Sequence, residues 1–249
     1  MAVSLTVLAS LASFSADYEV ARRLYEQTLA IRRELGDQRS IASSLNNLAL
    51  LAADQSDYRS ARGLYEESLV IARQLGDKKG IATSLANMGL MLHELGDYAA
   101  ARTHSEQSLV MCRELGDRAG MAAALSALAR VATDERALSS ARALHSESLG
   151  IRLELGHRHG IAESLQGFAN VALALTCPLR AACLWGAAER LRSELGSPMP
   201  SAERRRYDSL VRAAREACGN DTAFDCAWRE GSAMTMEQAV AFAKQADAD

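Results

Sequence analysis

The chain predicts an all-α fold: a right-handed α-solenoid of stacked helical hairpins, closed by a helical cap at its C-terminal end. Three observations lead there. The 249 residues are rich in Ala, Leu, Arg and Glu, with three prolines and 5% aromatics, a composition that favours helix throughout. A Leu-Gly-polar mark returns every forty residues, as "RELGD" (33–37), "RQLGD" (73–77), "RELGD" (113–117), "LELGH" (153–157) and "SELGS" (193–197). Fixed self-similarity of this length is the signature of stacked repeats. Within each period the apolar residues follow helical rather than strand spacing.

The opening "MAVSLTVLASLASFSA" lacks a basic start and falls in phase with the later repeats, so it reads as a helix of the fold and not as a signal peptide. No run of about 20 apolar residues exists to span a bilayer. In 41–53, Ile41, Leu45, Leu48 and Ala52 form one apolar helix face. The polar turn "DQSDY" follows, with Asp57 placed to N-cap a second helix over about 58–75. That helix turns Ala61, Leu64, Tyr65, Leu69, Ala72 and Leu75 inward. Gly76 suits the left-handed conformation that ends a helix, and Asp77 can cap the next. The same columns recur as Ala21, Ala61, Ala101, Ala141 and Ala181, where the two helices of a hairpin should approach most closely. Leu5, Leu45, Leu85, Leu125 and Leu165, with Leu8, Leu48, Met88, Leu128 and Phe168, form the stripe of the first helices. Five units are expected, 1–36, 37–76, 77–116, 117–156 and 157–196, then a capping segment over 197–249.

Pro198 and Pro200 break the rhythm. Ser201 is then placed to cap a helix to about Cys218 with Leu210, Val211 and Ala214 on its apolar side. Gly219-Asn220 ends it, Asp221 to Arg229 reads as a short helix with Phe224 and Trp228, and Thr235…Gln238 has capping-box spacing before a last helix. Trp228, Met236, Val240 and Phe242 are the expected packing residues of this cap, because a solenoid needs its final apolar face covered.

The segments Leu45-Asn46-Asn47-Leu48-Ala49…Ala52…Asp57-Tyr58…Ala61…Tyr65 and Leu85-Ala86-Asn87-Met88-Gly89…Leu92…Gly96-Asp97-Tyr98…Ala101 resemble the tetratricopeptide repeat (TPR). The resemblance covers about 1–196 and is weakest where Ala137-Leu138 and Cys177-Pro178 replace Asp-Tyr. The tail "LWGAAERLRSELGSPMP…ERRRYDSLV…FDCAWREGSAMTMEQAVAFA" resembles the C-terminal end of bacterial STAND-class signal-transduction ATPases, including LuxR-type transcription regulators. That likeness implies a sensor array beside an ATPase and an effector domain. The chain itself has no GxxxxGK[ST] loop and no evident DNA-binding helix-turn-helix, so neither activity is carried over to it. Leu5, Leu8, Leu11 and Phe14 open the array with no polar unit ahead, which suggests the C-terminal part of a longer chain or a homodimer through the exposed first helix.

Chemistry is not expected. Glu66-Glu67 and Asp134-Glu135 belong to charged helix faces. His157 and His159 share a turn without a third ligand at metal-site spacing, and His104 and His145 read as packing or surface residues. The five cysteines contain no CxxC pair and read as reduced thiols of a cytoplasmic protein. Arg204-Arg205-Arg206 sits beside Glu203 and Asp208 as a solvated face, and a net charge of −3 gives no general pull on nucleic acid or membrane. No enzyme activity and no cofactor or metal is expected.

What remains is surface. The TPR resemblance implies a concave groove lined by the first helices, at Asn46, Leu50 and Asp54; Leu90, His93 and Glu94; Ser126, Arg130 and Asp134; Gln166 and Asn170, with Thr6, Ser10, Ser13 and Ala86 in the same register. It would take a protein segment, a peptide or a small inducer. The set lacks the repeated Lys/Arg–Asn cluster that grips a C-terminal carboxylate in chaperone-binding relatives. The expected role is a ligand-sensing regulatory module, with a free-standing scaffold or homo-oligomerisation module as the alternative.

Overall fold

The computed structural model describes residues 2–15, 17–196, 199 and 201–245. Pro198 and Pro200 lie outside the described residues, as do Met1 and the side chains of Phe14 and Ser201. Among the described residues there are thirteen helices and no strand. They run α1 (Ala2–Phe14), α2 (Tyr18–Glu34), α3 (Gln38–Asp54), α4 (Tyr58–Gln74), α5 (Lys78–Glu94), α6 (Tyr98–Leu115) and α7 (Arg118–Asp134). Then follow α8 (Leu138–Glu154), α9 (Arg158–Ala174), α10 (Pro178–Leu195), α11 (Ser201–Cys218), α12 (Asp221–Ala233) and α13 (Met236–Lys244). The fold class is an α-solenoid of helical hairpins. The chain divides into two compact units, Met1–Gly120 with Pro198–Arg204, and Met121–Ser197 with Arg205–Asp249.

In the first unit α1 to α6 pack in series. Every helix from α2 to α6 starts on an aspartate, at 17, 37, 57, 77 and 97, whose side chain accepts from a backbone N–H three residues on. Each such cap satisfies one of the donors a helix start leaves unpaired and stabilises by about 1 kcal/mol. Ala21, Ala61 and Ala101 have no exposed surface at all. Backbones meet closely beside them: a Cβ on Gly89 would lie 2.5 Å from Ser105 Oγ and 3.2 Å from the carbonyl of Ala101. The Leu stripe is buried at Leu45, Leu48, Leu85 and Met88, but Leu8 is 52% exposed. Together with Val3, Val7 and Leu11 it forms an open apolar face, because α1 packs chiefly on α2.

The turns follow one rule in two guises. Between hairpins the left-handed residue is glycine, as at Gly36 and Gly76 (φ +66° and +62°). Inside the hairpins the same conformation falls on Ser56, Arg136 and Thr176 (φ +65°, +63° and +63°), and only Gly96 supplies a glycine there. A side chain in this region costs roughly 1–2 kcal/mol.

In the second unit α8, α9 and α10 pack in series, α12 lies on α10, and α13 touches both α9 and α10. Ala137, His157 and Cys177 begin α8, α9 and α10 without a side-chain cap, yet each helix keeps its place. Pro178 helps at α10, since its missing N–H would have been unpaired there anyway. Ala141 and Ala181 are completely buried like their counterparts. The short helix expected to end at Arg229 runs on to Ala233 with Asn220 as its N-cap, and Thr235 and Gln238 form both bonds of a capping box. Its extra turn comes from a crossing on α10 with almost no space between backbones. A Cβ on Gly231 would lie 1.8 Å from the carbonyl oxygen of Cys183, and one on Gly186 2.2 Å from that of Trp228. Both obstacles are main chain and cannot swing away. Gly231→Ala should therefore cost about 3 kcal/mol or more. A denaturant midpoint unchanged in that variant would refute the crossing.

Candidate functional site

The aspartate caps and the Leu stripe fix which side of each first helix faces inward, and the opposite flank carries the candidate groove residues. In the first unit this flank lies on α3 and α5. Asn46 is buried and accepts from Asn87 Nδ2 at 3.4 Å. Leu50 is 44% exposed, and Leu90 is half-buried. Asp54 is half-buried at the C-terminal end of α3. Burial pushes its carboxyl up to about 6, and the nearby Glu203 carboxylate adds to the effect. The same burial, with the Asp54 charge behind it, raises the Tyr65 hydroxyl. His93 is buried with its ring 5.7 Å from that of Tyr98 and Nδ1 3.4 Å from Glu94. On α1, Thr6 Oγ1 accepts from Arg32, and Ser10 Oγ lies 3.0 Å from the Tyr25 hydroxyl.

In the second unit the corresponding residues hold the protein's own side chains. Arg206 of α11 reaches Asp134 at 2.6 Å. Tyr207 of α11 stands edge-on to Trp185, 5.9 Å between centroids, and the Trp185 indole donates to Asn170 Oδ1 at 3.2 Å. Gln166 is buried and accepts from Arg192, and Ser126 Oγ pairs with Ser148 Oγ at 3.0 Å. Arg130 is half-buried, and its charge bears on His145. His145 is buried beneath the space left by Gly167, where a Cβ would come within 2.2 Å of its ring. Burial first, then the charges of Arg152 and Arg130, push its imidazole down to about 3, so it is neutral packing material. Asp134 of the first helix α7 and Trp185 of the second helix α10 thus both engage α11.

A cavity of about 410 Å³ opens in the first unit over α4, between α3 and α5. Ala42, Ser43, Asn46, Ser68, Gly80 and Ser84 line it, and Arg39, Asp77, Lys79 and Thr83 edge it. Of these only Asn46 is among the candidate groove residues. Ser68 belongs to the second helix α4, Asp77 is the cap of α5, and the others lie on the first helices α3 and α5 at polar or small positions, which a stripe of apolar residues does not mark. A second cavity, about 280 Å³, lies beside α10 and α13 in the other unit. Its charges are engaged: Glu194 pairs with Arg158 at 2.8 Å and with Arg190 at 2.9 Å. His157 and His159 stand 6.3 Å apart, and His159 bonds Glu163 at 3.2 Å. Among the described residues no three His, Cys, Asp or Glu side chains gather as a metal ion would require, and no helix is long and apolar enough to cross a membrane. All five cysteines are free thiols.

The family described as Tetratricopeptide repeat matches residues 1–74, 40–114 and 80–154. Among solved structures, the crystal structure of BtubC (BKLC) from P. vanneervenii is similar at 21% identity and a TM-score of 0.60, over 79% of this chain and 81% of that one. This likeness shows the fold. No curated protein matches the chain.

Asp54 gives a pH test. Asp54 has a folded-state value of about 6 against 3.8 for the free side chain, so the folded protein holds the proton more tightly than the unfolded chain. Its contribution is fully present below 3.8 and is lost as pH rises through about 6. The loss is at most about 3 kcal/mol. Asp54→Asn should raise stability at pH 7 and flatten this part of the stability profile, read by urea unfolding at pH 4, 5, 6 and 7. An unaltered slope would show that the carboxyl is not buried as described.

Proposed function

Because the chain belongs to the tetratricopeptide-repeat family, we propose that it is a recognition and regulatory module rather than an enzyme. In this reading it binds a protein segment or inducer on the flank of its first helices. Residues 1–196 act as five repeat units and 197–249 as the segment that closes them. Repeats of this family generally mediate protein–protein interaction, and a rigid row of helices presenting convergent polar side chains suits that task. The observation that supports the reading most is the seat of α11. Asp134 on the first helix α7 already holds Arg206 of the same chain, with Tyr207 packed on Trp185 of α10 beside it, so this flank engages polypeptide. In the first unit the matching flank offers Leu50, Asp54, Leu90 and Glu94.

The finer role rests on the tail from Leu184 to Ala243, which resembles the C-terminal end of STAND-class regulators. There the module is the sensing part of a larger signalling ATPase or transcription regulator, and binding shifts a population between inactive and active assemblies. A photo-crosslinking residue at Leu50 or Leu90 should trap one partner from host-cell extract, whereas the same residue at the outer position Arg62 should not. Leu50→Glu with Leu90→Glu should abolish capture at unchanged helicity and melting. Equal trapping from Arg62, or undiminished capture by the double variant, would sink the assignment.

A second reading, a scaffold that pairs with its own kind, is favoured by one observation. Val3, Val7, Leu8 and Leu11 of α1 are all more than half exposed. Light scattering should then give a dimer that Val7→Glu with Leu11→Glu converts to a monomer. A monomeric parent protein at high concentration would dismiss this reading.

A further inference from the structure

One column of the repeat changes character along the chain: Arg32, Ala72, Cys112, Arg152 and Arg192. Where it is arginine, the side chain is a lock. Arg32 Nη1 donates to the Ser40 carbonyl at 3.1 Å and to Ser44 Oγ at 2.6 Å, and Nη2 to Thr6 Oγ1 at 3.2 Å. Arg152 Nη1 donates to the Gly160 carbonyl and to Ser164 Oγ, at 2.6 and 2.9 Å. In both cases the acceptors stand eight and twelve residues after the arginine. Thr6 stands 26 residues before Arg32, and Gln166, which accepts from Arg192, stands at the same separation.

The same offsets from Ala72 give Gly80, Ser84 and Asn46, and all three line the cavity of about 410 Å³. The place is the same one. A Cβ on Gly160 would lie 2.8 Å from Arg152 Nε, and a Cβ on Gly80 would lie 3.4 Å from Ala72 Cβ. Ala72 therefore ends where the arginines continue. In the next repeat the column is closed differently. Cys112 puts its sulfur 2.5 Å from the Cβ position of Gly120, and the serine of the pair is replaced by Ala124. Only the Ala72 repeat keeps the serine acceptor while lacking the arginine.

The geometry points to a socket for the guanidinium of an arginine side chain presented by a partner polypeptide. The Gly80 carbonyl, Ser84 Oγ and Asn46 Oδ1 are its acceptors. A fork of N–H donors matches such a set as an ammonium does not. The volume lies within the range of about 300–1,000 Å³ common for ligand sites. At the mouth, Arg39 is held 3.2 Å from Asp77, and Lys79 is exposed. These two cations make an anion the competing occupant. The inference deepens the recognition reading and rests on it only for the source of the arginine.

The test uses the whole chain and small probes. In an NMR titration, the blocked tripeptide Gly-Arg-Gly should shift the amides of Gly80 and Ser84, and bind at least about tenfold tighter than its Lys or citrulline counterparts. Ala72→Arg should supply the guanidinium internally, abolish the binding and raise the melting temperature. Ser84→Ala should weaken binding about tenfold, the scale of one hydrogen bond to a charged group; it decides the matter if Ala72→Arg does not fold. No binding, equal binding by the citrulline peptide, equal binding by Ala72→Arg, or sulfate occupying the cavity in preference to the peptide would each overturn the socket. Because the probe needs no natural partner, its failure beside successful crosslinking from Leu50 and Leu90 would remove the socket and leave the recognition face standing.

Discussion

The contact on which the rest depends is the near touching of helix backbones at residues no larger than alanine. Ala21, Ala61, Ala101, Ala141 and Ala181 have zero exposed surface, so each second helix is held at one distance from its first helix. Interiors are packed densely enough that a methylene too many forces backbone shifts. With that distance fixed, a forty-residue repeat returns each element to the same place, and the aspartate caps and glycine turns can recur without adjustment. The crossing of α12 on α10 uses the same device in a more severe form, with Gly186 and Gly231 each facing a main-chain carbonyl. Small residues set the geometry, and side chains elsewhere are free to differ.

This division explains what the sequence makes legible. Repeat period, helix limits and caps are local, and the residues at 17, 37, 57, 77 and 97 declare them outright. Helices α8 and α10 hold register without an aspartate because Ala141 and Ala181 still dictate the packing. The strained turns at Ser56, Arg136 and Thr176 carry no such mark. There the tertiary contact overrides local preference, and a reading that looks for glycine misses the turn conformation while finding the turn.

The face was harder to read than the frame. Periodicity reveals which side of a helix is apolar but says nothing about what covers the polar flank. Asp134 and Asn170 fall at the expected groove positions by register, yet one meets Arg206 and the other meets Trp185, whose ring packs on Tyr207. The partner of Asp134 is 72 residues away, so no local pattern announces it. Gln166 and His93 are likewise in register but buried, one beneath Arg192 and the other beside Tyr98. Leu50 is the exposed member, and Leu90 is half-buried, like Asp54 and Glu94.

Energetics explain why an arginine column can tolerate an alanine. Deleting one partner of a buried hydrogen-bonded charge ordinarily strands its acceptors, at about 1–3 kcal/mol for each neutral group. Around Ala72 the stranding is avoided. Ser84 Oγ lies 3.2 Å from Ser68 Oγ, and Asn46 takes a long bond of 3.4 Å from Asn87. Both substitutes are neutral bonds, and both are long. A guanidinium entering the cavity would exchange them for charge-assisted bonds, which are roughly twice as strong. In the proposed socket the acceptors are thus partly satisfied without a guest and better satisfied with one, the thermodynamic condition for reversible recognition.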